Sequence, residues 1–161
     1  MTLPWRAALF LLVLPPAAAA QQATPGGADT PVEVRQADST IRVSGADPVL
    51  VVSEVGVRLA RVARRLATGA VGLKVLAGRS GGSGSHAEGR AVDLTLVDLS
   101  RGTELPMGGT YPGSDSASAA PAPTGREARY RELLRRVMVE EGFVAGDRWW
   151  HFQLQPLAIS R

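Results

Sequence analysis

The chain of 161 residues contains only two histidines, and each stands in a segment that could hold a metal ion. His86 precedes Asp93 by seven residues, and His151 follows the tryptophan pair Trp149 and Trp150. A catalytic zinc site takes three nitrogen or oxygen ligands from the protein and leaves a fourth position for water. Two imidazoles and one carboxylate satisfy that requirement, so we predict that His86, Asp93 and His151 bind one zinc ion per chain.

The environment of Asp93 supports this prediction and leaves alternatives open. Residues 90–98 (RAVDLTLVD) carry apolar side chains on both faces, which is typical of a central buried strand. An unpaired carboxylate in such a strand would be costly, so a cationic partner must meet Asp93. A structural arginine could be that partner instead of a metal ion. A histidine beside two tryptophans can likewise be packed in a core without any ligand.

The composition excludes several classes of protein. The chain has no cysteine, so it can form neither a disulfide nor a thiolate metal site. Its formal net charge is +3, and it lacks a lysine or arginine stripe with interleaved aromatic residues, so we expect no nucleic-acid partner. Residues 78–84 (GRSGGSG) lack the lysine-serine or lysine-threonine ending of a phosphate-binding loop. We interpret them as a loop of the metal site.

The first twenty residues predict export. Arg6 supplies positive charge, residues 7–14 are apolar, and residues 18–20 are alanines that suit signal-peptide cleavage. We predict a signal peptide over residues 1–20, a flexible leader over 21–31 and a single domain over 32–161, located in the periplasm or outside the cell. An uncleaved anchor is the alternative, but the apolar run is shorter than the roughly 20 residues of a spanning helix, so we expect no stable membrane insertion.

The remaining pattern predicts an α+β fold in which a small, mostly antiparallel sheet packs against two main helices. Residues 32–43 alternate imperfectly and predict an edge hairpin that turns at residues 36–39. Helical spacing predicts amphipathic helices over residues 48–67 and 126–141. Residues 100–124 lack any period over most of their length and predict a long surface loop. Strands are predicted at residues 72–77, 90–98 and 149–154.

Four segments occur in a characteristic order along the chain. They are residues 85–96 (SHAEGRAVDLTL), 104–108 (ELPMG), the stretch from Arg131 to Phe143, and 149–152 (WWHF). Together they resemble the zinc D-alanyl-D-alanine dipeptidases, including the vancomycin-resistance dipeptidase, and their D,D-carboxypeptidase relatives. The resemblance covers roughly residues 55–155, and the combination is far more specific than any single motif. It implies that His86, Asp93 and His151 are zinc ligands.

The resemblance also implies a catalytic glutamate three residues before the last histidine, where this chain has Arg148. An arginine does not deprotonate in proteins, so it cannot act as a general base. Asp147 is our candidate for the base, because residues 147 and 151 of a regular strand share a face. Alternatively, Glu140 or Glu141 approaches the site, or the chain keeps the metal and has lost the chemistry.

The resemblance implies that Arg79 helps to hold the polarised carbonyl group of the substrate, but the segment that follows Arg79 departs from the family pattern. A structural or solvent-facing arginine is the alternative. Only six residues separate Arg79 from His86, where the dipeptidases usually have a longer stretch, so we expect a more open pocket. The sequence thus predicts an exported zinc D,D-peptidase acting on the D-Ala-D-Ala dipeptide or a peptidoglycan stem peptide. A catalytically inactive module that binds cell-wall peptides is the competing hypothesis, and a domain without metal is the third.

Overall fold

The computed structural model describes residues 30–38, 40–112 and 123–155. Within these ranges, short strands alternate with one helical turn and two long amphipathic helices. The elements in chain order are β1 (Pro31–Glu33), α1 (Val34–Ala37), β2 (Ile41–Val43), β3 (Leu50–Val52), α2 (Ser53–Ala67), β4 (Val71–Ala77), β5 (Ala91–Asp98), β6 (Thr103–Glu104), α3 (Gly125–Glu140), β7 (Phe143–Ala145) and β8 (His151–Leu154).

Most of the strands form one mixed sheet with the order β2-β4-β5-β8-β7, and β6 pairs with the end of β5. Strand β2 is parallel to β4, whereas the other described pairings in this sheet are antiparallel. Strands β1 and β3 form a separate antiparallel pair. The predicted α+β fold, with a mostly antiparallel sheet and two main helices, is therefore confirmed.

Strand β5 is the centre of the sheet and is buried on both faces, as its sequence predicts. Val92, Leu94 and Leu96 belong to the core between the sheet and the helices. Asp93 and Thr95 occupy the alternate positions and therefore face the other side of the sheet. The helices contribute their apolar faces to the same core through Val55, Leu59, Val62, Leu66, Leu134, Val137 and Met138. One face of the sheet is thus packed against the helices, and Asp93 and Thr95 lie on the opposite face.

The predicted hairpin at residues 32–43 is wrong. Strand β1 pairs with β3, and β2 pairs in parallel with β4, so the two predicted arms of the hairpin do not meet. Val34 begins the helical turn α1 and is fully buried, and Asp38 then accepts hydrogen bonds from the backbone N–H and the hydroxyl group of Thr40. Alternating valines indicate burial but cannot identify a partner strand, because pairing depends on segments distant in the sequence.

Two predicted boundaries are also wrong. The helix expected from residue 48 begins at Ser53, because residues 50–52 pair with β1 instead. The strand expected from residue 149 begins at His151, and the two tryptophans lie in the turn before it. Asp147 lies in a bend, so the argument from a shared strand face does not apply to it.

None of the described helices combines the length and apolar character that crossing a membrane requires. The predicted signal peptide, residues 21–29 of the predicted leader and residues 113–122 of the predicted surface loop lie outside the described residues.

Candidate metal centre

The three predicted metal ligands converge on the face of the sheet opposite the helices. The Nε2 atom of His86 lies 3.2 Å from Oδ1 of Asp93 and 3.2 Å from Nδ1 of His151. The distance from Nδ1 of His151 to Oδ1 of Asp93 is 2.9 Å. Four ligands at about 2.0–2.1 Å from a tetrahedral zinc ion lie about 3.3 Å from one another. The three atoms therefore form a triangle of nearly the size that such an ion requires, and these residues fit the predicted metal.

Strand pairing brings two of the ligands together. Asp93 on β5 and His151 on β8 are direct partners in the antiparallel ladder, so both side chains project from the same face. The N–H of Leu94 also donates to the carbonyl oxygen of Trp150, which adds a hydrogen bond between β5 and the turn before β8. The positions of Asp93 and His151 thus follow from the register of two strands that are far apart in the sequence.

A tight turn brings His86 to the same point. The N–H of Gly89 donates to the carbonyl oxygen of His86 at 2.9 Å, and Gly89 adopts a φ of +73°. A Cβ atom at this position would lie 3.2 Å from the backbone nitrogen of Val52, whose N–H donates to the carbonyl oxygen of Gly89. Glycine is therefore suited to residue 89 on two grounds, its left-handed backbone and its close approach to β3.

The second nitrogen of His86 fixes the tautomer of its ring. Nδ1 lies 2.8 Å from the carbonyl oxygen of Gly78. A carbonyl oxygen can only accept a hydrogen bond, so Nδ1 carries a proton and the neutral ring presents the lone pair of Nε2 to the other two ligands. Metal-binding histidines are commonly oriented by such a bond from their other nitrogen.

Gly146 allows the ring of His151 to occupy its place. A Cβ atom at residue 146 would lie only 2.7 Å from Cδ2 of His151. The N–H of Gly146 also donates to the carbonyl oxygen of His151 at 2.8 Å, which holds the two backbones together. No pattern in the sequence indicates this role, because a glycine between two short strands carries no sign of what packs on it.

The electrostatics of the three groups are coupled. Asp93 is 9% exposed, and this burial would by itself raise the pKa of its carboxyl group. When the two rings are protonated, hydrogen bonds from His151 and His86, with the charges of both rings, outweigh the burial and hold the pKa of Asp93 below its usual range. The hydrogen bond to Asp93 in turn raises the pKa of His86. The two imidazoles thus serve as the partners that a carboxylate buried in β5 requires.

Tyr111 is a further neighbour of Asp93, and no motif in the sequence indicates this contact. Its hydroxyl group donates to Oδ2 of Asp93 at 3.1 Å, and this is the carboxylate oxygen that does not face the histidines. Burial, together with the charge and the hydrogen bond of Asp93, raises the pKa of Tyr111 to about 12. The hydroxyl group therefore stays protonated at neutral pH and remains a hydrogen-bond donor.

A cleft of about 360 Å³ opens onto the metal centre. It is lined by the three ligands and by Asp147, Arg148 and Trp150. Trp150 is 2% exposed, and the guanidinium carbon of Arg148 lies 5.8 Å from the centroid of its ring. The structure therefore places both the proposed base and the arginine that replaces the family glutamate beside the metal ligands. Trp149 does not line this cleft.

Three other candidate residues lie elsewhere. Arg79 is exposed, donates from Nε to the carbonyl oxygen of Ala87 at 3.1 Å, and is absent from the lining of the cleft. Glu140 and Glu141 both form ion pairs with Arg65 of α2, on the helical side of the sheet. The alternative in which one of these glutamates supplies the base is therefore wrong for this structure.

A second cavity of about 550 Å³ lies on the same side of the sheet. Its lining includes Thr95, which is one pleat along β5 from Asp93, and Tyr111, which contacts Asp93 directly. Thr95 is 1% exposed, and its hydroxyl group has no hydrogen-bond partner among the described residues. Lys74 and Glu104 form an ion pair at the wall of this cavity. This polar chamber therefore lies beside the metal centre, and the contact between Tyr111 and Asp93 stands between the two.

A mixed sheet that presents two imidazoles and a carboxylate to an open cleft is an arrangement that metal-dependent hydrolases use. The D-ala-D-ala dipeptidase family model (Peptidase_M15) matches residues 72–160, which is more than half of the chain. The chain therefore belongs to this family, whose peptidases are metallopeptidases. The matched segment contains all three candidate ligands, and the family assignment confirms the resemblance described above.

Curated proteins of this kind share the same region. The chain is 40% identical over 74 residues to a D-alanyl-D-alanine dipeptidase from Enterococcus faecium, covering 44% of this chain and 37% of the relative. It is 36% identical over 73 residues to one from Enterococcus faecalis, covering 44% and 36%. It is 38% identical over 84 residues to one from Streptomyces coelicolor, covering 50% and 39%. The chain thus matches well under half of the length of each of these relatives.

Proposed function

We propose that this protein is an exported zinc metallopeptidase that hydrolyses D-Ala-D-Ala or a related bond in a peptidoglycan stem peptide. The observation that carries the proposal is the triangle formed by His86, Asp93 and His151, with edges of 2.9–3.2 Å on the floor of an open cleft. The substrate class comes from the relatives, which are D-alanyl-D-alanine dipeptidases.

Zinc is the metal that this donor set favours. The chain offers nitrogen and oxygen ligands only, and two imidazoles with one carboxylate leave a coordination position unfilled, as in catalytic zinc sites. A bound zinc ion would supply Lewis acidity, which polarises a carbonyl group and lowers the pKa of water. With a divalent ion present, the charges of Asp93, Asp147 and Arg148 leave the cleft one positive charge in excess, which favours a peptide that ends in a carboxylate.

Asp147 is the residue that we propose as the general base. It lines the cleft together with the three ligands, and a carboxylate can take a proton from water and return it to a leaving amine. Arg148 lines the same cleft but cannot exchange a proton. We propose that Arg148 instead binds the substrate carboxylate, since a guanidinium group matches a carboxylate in geometry.

The chamber beside the metal centre supports a substrate longer than the free dipeptide. A small dipeptide would fit within the cleft at the three ligands, whereas the polar chamber around Thr95 provides room for the residues that precede the cleaved bond in a stem peptide. The unpartnered hydroxyl group of Thr95 could form a hydrogen bond with such a peptide. Arg79 is not needed for this arrangement, because its guanidinium group is bonded to Ala87 outside the cleft.

A binding module without catalysis is the second candidate function, and the presence of Arg148 in place of the family glutamate favours it. Turnover of D-Ala-D-Ala by the zinc-loaded chain distinguishes the two functions. We expect Asp147→Asn to abolish most of the turnover, and Asp47→Asn, at an exposed position outside the cleft, to leave it unchanged. If the wild-type chain binds zinc and peptide but has no activity, and Arg148→Glu creates activity, the binding module is correct.

Substrate length is tested with the same preparation. We expect kcat/KM for an N-acylated tripeptide ending in D-Ala-D-Ala to exceed that for the free dipeptide. Thr95→Val should reduce this ratio by about three- to tenfold, which is the value of one neutral hydrogen bond. The matched control is Thr68→Val, because Thr68 is exposed and its hydroxyl group bonds to a carbonyl oxygen at the end of α2. An unchanged ratio in Thr95→Val would refute the role of the chamber.

Export is tested separately by sequencing the amino terminus of the protein recovered from outside the cytoplasm, where we expect a chain that begins near Gln21.

A further inference from the structure

Tyr111 contacts the metal centre from a loop that has no regular secondary structure. The hydroxyl group donates to Oδ2 of Asp93 at 3.1 Å, while Oδ1 of the same carboxylate faces His86 and His151. The two oxygen atoms of Asp93 therefore have different partners. A carboxylate whose second oxygen accepts a hydrogen bond is oriented to give one oxygen to a metal, and such outer contacts commonly tune the ligand they support.

The ring of Tyr111 is held in place by its contacts with a tryptophan. It meets Trp150 edge to face, with 5.7 Å between the ring centroids, and Trp150 meets Trp149 in the same manner at 5.2 Å. Trp150 is almost fully buried, whereas Tyr111 is 36% exposed. The hydroxyl group of Tyr111 is thus supported from the protein side by a chain of aromatic rings, although the residue itself borders solvent.

The loop that carries Tyr111, residues 105–112, is fixed to helix α3 by one arginine. Arg131 donates from Nε to the carbonyl oxygen of Met107 and from Nη2 to that of Gly108. Its guanidinium carbon also lies 5.2 Å from the ring centroid of Trp149. Arg131 therefore supports both the backbone of the loop and the aromatic chain behind Tyr111.

We infer that Tyr111 is a positioning residue of the metal centre, and that Arg131 fixes the loop that places it. Tyr111 keeps Oδ2 of Asp93 engaged, so that Asp93 presents Oδ1 alone to the ion. A single carboxylate oxygen with two imidazoles suits a tetrahedral ion such as zinc, whereas two oxygens would suit a larger ion with more ligands. The inference rests on the metal centre of the proposed function and extends it to two residues outside the ligand set.

The test is the zinc dissociation constant of the full chain, measured by competition with a chelator. We expect Tyr111→Phe to raise this constant by about tenfold, because loss of an outer-shell contact typically weakens metal binding by about 10- to 100-fold and Tyr111 is partly exposed. Tyr130→Phe is the matched control, since Tyr130 is the only other tyrosine and packs against the core from α3. It should bind zinc as the wild type does. The visible absorption spectrum of the cobalt-substituted protein should change in Tyr111→Phe and not in the control, because the spectrum reports coordination geometry.

A double-mutant cycle separates direct from indirect effects. In an Asp93→Ala background the hydrogen bond cannot form, so Tyr111→Phe should no longer alter the zinc dissociation constant. Arg131→Lys, which loses the two-point contact with the loop, should weaken zinc binding in the same direction as Tyr111→Phe. Wild-type zinc affinity in Tyr111→Phe, or an equal effect of Tyr111→Phe in both backgrounds, would overturn the inference. If the wild-type chain binds no zinc, the proposed function itself fails.

Discussion

The contact between Gly146 and the ring of His151 allows a direct test of the metal centre. In Gly146→Ala, the new Cβ atom would lie 2.7 Å from Cδ2 and 3.3 Å from Cγ of the ring. Ordinary contact begins at 3.4 Å, so the ring or the backbone must move by about 0.7 Å at the closest atom. The backbone of Gly146 is not in the left-handed region, so the added methyl group acts through this contact alone.

This displacement predicts changes in the zinc affinity and in the folding free energy of the variant. Metal-ligand distances tolerate only about 0.2 Å, so a ring moved by several times that amount cannot keep its place in the ligand set. We expect the zinc dissociation constant to rise by about 100-fold, which corresponds to about 2.7 kcal/mol. Overpacking costs about 1–3 kcal/mol, and replacing glycine by alanine restores about 0.4–1 kcal/mol through the unfolded state. The metal-free variant should therefore lose no more than about 2.6 kcal/mol of folding free energy.

The assay combines chelator competition with denaturant unfolding of the metal-free chain. The matched control is Gly69→Ala, because a Cβ atom there would meet its nearest neighbour, the carbonyl oxygen of Leu66, at an ordinary 3.6 Å. The control should retain wild-type zinc affinity. Zinc affinity within about twofold of the wild type in Gly146→Ala would refute the reasoning, because the loss predicted from ligand displacement is about 50 times larger.

Three further predictions concern the same centre. Zinc at about 100 times its dissociation constant should raise the free energy of unfolding by about 2.7 kcal/mol, and a thermal melt that is unmoved by zinc in the wild type would contradict a bound ion. In the metal-free protein, the lowered pKa of Asp93 contributes stability that is lost as the pH falls below its ordinary value of 3.8, and the raised pKa of His86 contributes stability that is lost as the pH rises above 6.5. The difference in melting temperature between the wild type and Asp93→Asn should therefore be largest between these two pH values, and a difference independent of pH would count against the pairing. Gly89→Ala should cost about 1–2 kcal/mol in stability and also weaken zinc binding, whereas Gly45→Ala, which has a similar positive φ but no neighbour within 4 Å, should cost stability alone.

The parts of the fold that the sequence predicted are those in which a local pattern is sufficient. Strands β4 and β5 and helix α3 follow from apolar runs or helical spacing, and each of them spans enough residues for the period to be read. The failures lie where tertiary pairing overrides the pattern. Residues 50–52 continue the apolar pattern of α2, yet they form β3 because β1 supplies their hydrogen-bond partners.

The candidate metal ligands could be brought together from the sequence because residue type and spacing indicate which side chains can bind a metal ion. Only two histidines occur in the chain, and a buried aspartate follows one of them after a turn that needs glycine. Asp147, the proposed base, lines the cleft. It lies in a bend and not in a strand, so the predicted reason for its position is wrong. Arg79 has the opposite outcome, because its sequence position resembles that of a site residue, but its side chain bonds to the carbonyl oxygen of Ala87 and does not line the cleft.

The sequence by itself determined which groups could bind the ion, because the type of a donor atom is a property of the residue. Only the tertiary structure decided which oxygen of Asp93 faces the histidines, that Gly146 makes room for His151, and that Tyr111 reaches the carboxylate from a loop without any periodic pattern. These relations depend on distances between segments that are far apart in the chain, and each distance must be correct to within a few tenths of an ångström. Such distances are set by strand register and packing, and no local pattern of residues encodes them.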